Sequence, residues 1–281
     1  MSATIAAIIL GMIQGMTEFL PVSSSGHLVL AQHFLGISFP GMTFEVILHF
    51  GTLLAVIFFF WTDLKSIISI FIQGSITLLK REKLTFSPEQ KLAWRFGWLI
   101  IFGSVPTAAL GLLLGSVIED LFASVTTVGI MLLLTGTLLW WIERTKGLGG
   151  KDIMEMGLYD ALFIGFAQGC AIMPGLSRSG STITGALLRG LDRNTAMRFS
   201  FLLSLPAIIG ATILQLKDIA SATAEGQVTL GDYGIGFVVA FISGMVAIKL
   251  LYLVVKQRRL HYFGYYCWLT GIITLTINLL G

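Results

Sequence analysis

Of the 281 residues, 55% are hydrophobic and only 12% charged, and the mean hydropathy is +0.87. Ordinary soluble domains carry about 25% charged residues, so this composition excludes a water-soluble globular domain and points to a polytopic α-helical membrane protein. The formal charge of +3 is small and its basic residues sit in short runs between apolar segments, a distribution that fits membrane topology and no nucleic-acid partner.

Nothing before Glu18 is charged except the terminal amine, so the basic region of a cleaved signal peptide is missing and the first apolar segment is expected to be retained. That segment, about 3–37, is broken in its middle by Pro21, three serines and Gly26. Each piece is too short to span about 30 Å of hydrocarbon, so the region reads as a re-entrant helix–loop–helix hairpin. The first full span follows at Phe44–Trp61. Over 62–80, Thr62, Ser66, Ser69, Gln73, Thr77 and Lys80 recur at intervals of 3 and 4 and form one stripe of a helix. This predicts an amphipathic helix lying at the interface or on the bundle, its stripe turned to something polar. A polar loop with Pro88 leads to spans at Trp98–Val117 and Val125–Ile142. A second broken segment, about 157–190, repeats the hairpin pattern, and spans follow at Phe199–Leu216, Ile235–Val255 and Gly264–Leu280. The two cysteines, Cys170 and Cys267, lie in apolar segments and read as small buried hydrophobes, without a disulfide framework or a metal cluster.

Lysines and arginines cluster at 80–95 (Lys80, Arg81, Lys83, Lys91, Arg95), at Arg144, Lys146 and Lys151, at Arg189, Arg193 and Arg198, and at Lys256, Arg258 and Arg259. The loops at Glu119–Asp120 and Asp218–Asp232 are acidic apart from Lys217 at the edge. Placing the basic loops in the cytoplasm satisfies every span and puts both termini outside.

A shift of 154 residues lays Gly11, Gln14, Gly15, Ser23, Ser25 and Gly26 on Gly165, Gln168, Gly169, Ser177, Ser179 and Gly180. Phe44 then pairs with Phe199, Gly97 with Gly236, and Leu134-Thr135-Gly136 with Leu269-Thr270-Gly271. The chain is therefore expected to be one membrane domain, 1–281, built of two repeats, about 1–145 with an insertion at 62–91 and about 153–281. Each holds one hairpin and three spans; three is odd, so the second repeat is inverted. Broken helices at matching places in inverted repeats predict a site near the midplane.

The chemistry at the two breaks differs. Arg178 lies among Ser177, Ser179, Gly180, Ser181 and Thr182 at the start of a short helix, and a charge at that depth needs a partner or water. Its planar fork, the helix N-terminus with the N–H groups of Gly180 to Thr182, and the hydroxyls suit an anion. Ser23, Ser24, Ser25 and Gly26 offer a similar device around Ser25 to His27, and an anion reached from within a membrane is most naturally a lipid phosphate. The first break adds Glu18, four residues after Gln14, and His27. A carboxylate beside an anion site implies a bound divalent cation or a base, and His27 suits proton transfer or attack on phosphorus. Plainer readings stand beside these: Ser23–Ser25 as a helix cap, His27 as a core histidine, and Arg178 as a structural partner of Glu18. Glu45 and His49 share a helix face in a structural or supporting role, and His33 and His261 read as interfacial. No P-loop, GxSxG or HExxH motif occurs.

Three stretches carry a resemblance: Gln14–Glu18, as (Glu/Gln)-x-x-x-Glu; Pro21–His27, as Pro-x-Ser-Ser-x-Gly-His; and Pro174–Ser179, as Pro-Gly-x-Ser-Arg-Ser. In order and spacing they resemble the undecaprenyl-pyrophosphate phosphatase family, also called bacitracin-resistance proteins, over essentially the whole length. The resemblance implies a multi-pass enzyme of the bacterial inner membrane that removes the terminal phosphate of a C55 polyprenyl pyrophosphate and recycles the carrier lipid for cell-wall synthesis. It also implies dependence on Mg²⁺ or Ca²⁺ and a site open to the periplasm. Carried over by position, Glu18, Ser24, His27 and Arg178 are catalytic candidates, Glu18 and Gln14 metal candidates, and Ser23, Ser25, Gly26, Ser177, Ser179, Gly180 and Thr182 substrate-binding candidates. Gln14 is an amide where the motif also allows a carboxylate, which removes one metal-binding charge. The nucleophile stays open between Ser24, His27 and water, and assembly as a homodimer stays open as well. A transporter or flippase of a polyprenyl phosphate is the rival reading, since inverted repeats also build transporters.

Overall fold

The computed structural model describes residues 2–36, 43–122, 124–145, 149–222 and 229–280, with side chains omitted at 43, 115–120 and 214–222. Lys146 therefore lies outside the described residues, as do the side chains of Glu119, Asp120, Lys217 and Asp218, on which part of the predicted orientation rests.

Eleven helices make up the described chain: α1 (Ala3–Phe19), α2 (Ser24–Leu35), α3 (Thr43–Phe59), α4 (Trp61–Leu79), α5 (Pro88–Phe122), α6 (Val125–Arg144), α7 (Leu158–Cys170), α8 (Arg178–Leu188), α9 (Arg193–Ala222), α10 (Leu230–Lys256) and α11 (His261–Leu280). Six of them, α4, α5, α6, α9, α10 and α11, have stretches long and apolar enough to cross a bilayer, and α1 and α3 are shorter apolar helices. The protein is an all-α, multi-pass membrane protein.

Both broken segments form helical hairpins, for local reasons. Pro21 bars helical geometry at the residue before it; Leu20 is extended at ψ 140°, and α1 stops at Phe19. Ser23 caps the new helix by accepting from the Gly26 amide, and α2 ends at Gly36 in the left-handed region at φ 61°. In the second hairpin Asp160 reaches back to the Gly157 amide at 2.9 Å. There α7 ends short of Pro174 and Gly175, the latter at φ 91°, and Ser177 caps α8.

The helices pack by close backbone approach. Helix α1 lies along α10, and α7 lies along α5. A Cβ on Gly11 would meet the Gly236 carbonyl, and one on Gly165 would collide with the Gly103 carbonyl. Ser243 of α10 donates to the Val239 carbonyl of its own helix at 2.6 Å with its oxygen 3.4 Å from the Gly11 carbonyl, and Thr107 of α5 donates to the Gly165 carbonyl at 2.8 Å. Helices α6 and α11 cross at two glycine contacts, Gly271 on the Gly129 carbonyl and Gly264 on the Gly136 carbonyl. Phe19, Phe60 and Phe201 form an aromatic core between α1, the α3–α4 junction and α9, with ring centroids 5.6 and 5.5 Å apart.

Helix α4 leaves α3 after one residue and packs on α5, with Gly74 against Trp94 and Gly97 against Phe71. Its buried face is Ile67, Ile70 and Gly74. Ser66, Ser69 and Gln73 of the polar stripe are exposed, Thr77 is half-buried, and Ser66 borders a cavity it shares with Asp63, Phe96 and Arg198. Three of the arginines that set the predicted orientation are paired: Arg198 with Asp63 at 2.9 Å, Arg193 with Glu143 at 2.6 Å and Arg189 with Asp160 at 2.6 Å. Both cysteines are free; Cys267 is buried and Cys170 half-buried.

Candidate active site

The two breaks meet. The Gly175 amide donates to Ser23 Oγ at 3.1 Å, tying the second hairpin to the cap residue of the first. Ser23 sits at φ 70° and ψ 97°, an unusual conformation for a non-glycine residue and one that costs about 1–3 kcal/mol. Thr135 of α6 holds the other side: its hydroxyl donates to the Gly175 carbonyl and accepts from the Ser177 amide, each at 3.0 Å. Within each hairpin the same small network recurs. Ser23 Oγ accepts from the Gly26 amide and lies 3.3 Å from Ser25 Oγ; Ser177 Oγ accepts from the Gly180 amide and lies 3.2 Å from Ser179 Oγ.

Glu18 is the hub. Its Oε2 accepts from Ser24 Oγ at 2.6 Å and from Gln14 Nε2 at 3.0 Å, and its Oε1 pairs with Arg178 Nη2 at 2.5 Å. Gln14 is fully buried and Glu18 nearly so. A carboxylate at a helix C-terminus opposes the helix dipole, and Arg178, at the N-terminus of α8, supplies the charge that offsets it. The pairing of Arg178 with Glu18 is thus present, but it uses only part of the guanidinium: Arg178 Nη1 is buried with no partner among the described residues, as is Gln14 Oε1.

His49 of α3 joins this group, with Nε2 3.8 Å from Glu18 Oε2 and Nδ1 donating to the Glu45 carbonyl at 2.8 Å. The Glu45–His49 spacing is visible in the sequence, but nothing in it says that the ring turns to Glu18. Glu45 itself accepts from Gln32 Nε2 at 2.7 Å.

His27 is placed differently from Ser24. Its Nδ1 donates to the Ser23 carbonyl at 2.8 Å and its Nε2 lies 2.7 Å from the hydroxyl of Tyr266 on α11. The proton of Ser24 is therefore directed at Glu18, not at His27. Tyr266 carries no motif signal and was beyond sequence reasoning. The backbone donors also need correction. The Gly26 and His27 amides are taken by Ser23, and the Gly180 and Ser181 amides by Ser177. The helix amides without an intrahelical acceptor are those one step earlier, of Ser24 and Ser25 in α2 and of Arg178 and Ser179 in α8. Thr182, expected to bind substrate, turns its hydroxyl to the Arg178 and Ser179 carbonyls and to Ser200 Oγ at 2.6 Å, which spends it on holding α8 to α9.

The donor set can be tested for a hard cation. Gln14 Oε1 is an unpartnered buried oxygen one turn from the Glu18 carboxylate, and oxygens of this kind suit Mg²⁺ or Ca²⁺. Among the described residues no group of three His, Cys, Asp or Glu could close a metal site, so the remaining ligands would come from phosphate and water. An apolar groove of about 370 Å³ leads away from His27 between α1, α2 and α11, lined by Ile13, Leu30, Phe34, Leu269 and Ile273.

Over residues 7–273 the chain matches the family described as bacitracin resistance protein BacA. Proteins named undecaprenyl-diphosphatase from Methanosphaera stadtmanae and Korarchaeum cryptofilum are each 45% identical to it; the first alignment covers 98% of both chains, and the second covers 96% of this chain and 98% of the relative. One of the same name from Halothermothrix orenii is 45% identical over 96% of both.

Proposed function

This chain belongs to the bacitracin resistance protein BacA family, and from that membership we propose that it is a membrane phosphatase hydrolysing undecaprenyl pyrophosphate to the monophosphate and inorganic phosphate. The observation that carries a hydrolytic role is the Ser24–Glu18–Arg178 chain: a hydroxyl 2.6 Å from one carboxylate oxygen, an arginine on the other, and a second guanidinium nitrogen left over. The lipid tail lies in the groove beside His27, and the pyrophosphate reaches the N-termini of α2 and α8. There Arg178, the first amides of both helices and the hydroxyls of Ser25 and Ser179 bind it. As phosphate takes up Arg178, the Glu18 carboxylate is released to accept the proton of Ser24. Ser24 Oγ bonds to the terminal phosphorus, the bridging P–O bond breaks, and the lipid monophosphate leaves with that electron pair on its oxygen, to which His27 in its protonated form donates from Nε2–H. Water then attacks the phosphoserine, freeing phosphate and returning the proton to Ser24. Arg178 and the helix N-termini stabilise the charge on the phosphoryl oxygens in both steps. Glu18 and Gln14 would hold a divalent cation, whose contribution is neutralisation of pyrophosphate charge.

The expected architecture is an inverted repeat, supported by the exchange of partners between halves: α1 on α10 and α7 on α5, with the matched Gly11 and Gly165 each closed against a glycine carbonyl of the partner helix. The basic loops support both termini outside; the inner membrane as location and a site open to the outer face are proposed from the resemblance to the family. The same architecture supports the rival reading, a flippase. Purified protein in detergent, given undecaprenyl or farnesyl pyrophosphate with Mg²⁺, should release phosphate, and Arg178→Ala should abolish this. Lipid flux in proteoliposomes without phosphate release would replace the phosphatase by the flippase.

A further inference from the structure

The mechanism asks His27 to work through one nitrogen, and the structure fixes which one. A backbone carbonyl can only accept, so the 2.8 Å contact of His27 Nδ1 with the Ser23 carbonyl places the proton of the neutral ring on Nδ1. Nε2 then carries a lone pair, and the group facing it at 2.7 Å is the hydroxyl of Tyr266, which donates. The two ring planes lie within 11° of parallel, with centroids 5.6 Å apart. A phenol hydroxyl can rotate to accept as well as donate, so the contact survives protonation of His27, which a pure donor or acceptor would not allow.

Tyr266 does not stand alone on its helix. The next residue, Cys267, is buried and lies with Sγ 3.7 Å from the Pro21 carbonyl. Trp268 anchors α11 to α6 through the Leu133 carbonyl at 3.2 Å and Thr137 at 3.1 Å. Three consecutive residues thus fix α11 to α6 on one side and to both ends of the first break on the other. One turn on, Leu269 and Thr270 line the groove that opens at His27.

We infer that Tyr266 is a positioning residue for the phosphatase reaction: with the Ser23 carbonyl keeping the proton on Nδ1, the Tyr266 hydroxyl and ring fix the orientation of His27, with Nε2 at the mouth of the lipid groove, in both protonation states of the imidazole. This rests on the proposed phosphatase activity, in which His27, once protonated, donates from Nε2–H to the departing lipid oxygen. Loss of such an orienting partner typically costs about 10-fold to 100-fold in activity.

The test is Tyr266→Phe, which keeps the ring stacked beside His27 and removes only the hydroxyl. In detergent-solubilised protein kcat should fall by about 10-fold or more with KM within about twofold, and the loss should disappear when Tyr266→Phe is added to His27→Gln. Independently, ¹⁵N spectra of histidine-labelled protein should show the Nε2 signal of His27, identified by its absence in His27→Gln, moving toward that of a free imidazole nitrogen in Tyr266→Phe. An unchanged kcat, a full additional loss in the double variant, or an unmoved Nε2 signal would each overturn the inference. Failure of the wild-type protein to release phosphate would instead sink the phosphatase reading, and the spectra would still decide whether Tyr266 holds His27.

Discussion

Ser24 and His27 are three residues apart, yet their reactive atoms have different partners. Helical geometry alone would let the imidazole take the proton of Ser24; the carbonyl of Ser23 captures Nδ1, and Glu18, from the other arm of the hairpin, receives the hydroxyl instead. This division predicts unequal phenotypes. Ser24→Ala and Glu18→Gln should each reduce phosphate release by about 100-fold or more, the scale of lost acid–base or nucleophilic catalysis. Ser24→Ala should also abolish trapping of a phosphorylated protein, whereas His27→Gln should slow release but still allow trapping. Stability separates the roles of the ion pair. Removing one partner leaves a buried charge uncompensated, so Arg178→Ala should cost about 3–5 kcal/mol. The Arg178→Gln, Glu18→Gln double variant should recover much of that loss in thermal denaturation while staying inactive. Recovery of activity along with stability would mean that the pair is structural only.

At the scale of elements, the fold depends on helices brought close by glycine. In α7 a Cβ at Gly165 would overlap the Gly103 carbonyl of α5, whereas one at Gly210 in α9 meets nothing within 4 Å. Gly165→Ala should therefore cost about 1–3 kcal/mol through forced separation of the helices. Gly210→Ala should be neutral or stabilising by up to about 1 kcal/mol through helix propensity; melting temperatures in one detergent check both. Helix α4 shows the limit of periodicity as a guide. Its 3–4 spacing of polar residues identifies a helix and one polar face, but its packed face is set by Trp94 and Phe71 fitting the glycines of the facing helices. A hydroxyl stripe does not say whether it looks at protein, water or headgroups.

At the scale of the whole molecule, orientation is the property most open to experiment. The Asp63–Arg198, Glu143–Arg193 and Asp160–Arg189 pairs place acidic residues on the same side as the basic loops. Topology follows lysine and arginine counts far more than net charge, so the pairs do not alter the proposed sidedness. In a background with Cys170 and Cys267 replaced, Glu89→Cys should react with an impermeant maleimide only from the cytoplasmic side. Leu230→Cys, 85% exposed at the start of α10, should react only from outside. The reverse pattern would invert the topology and with it the side from which substrate enters.

Much of this was determined by sequence alone. The apolar content dictated membrane helices, because so few charged residues cannot cover a soluble surface. Pro21 and Pro174 marked the two breaks only together with their serines and glycines, since Pro106 and Pro206 lie inside α5 and α9. An arginine and a glutamate in otherwise apolar surroundings marked the site, because hydrocarbon does not solvate charge. What the tertiary structure alone decided is which atom faces which. Glu18 receives Ser24 and Arg178, the amides of Gly180 and Ser181 are consumed by their own cap, Thr182 turns to Ser200, and His49 and Tyr266 arrive from α3 and α11. Those contacts join residues up to 239 positions apart. They depend on helix crossing and rotation, which close glycine contacts and ring packing fix and which local periodicity does not encode.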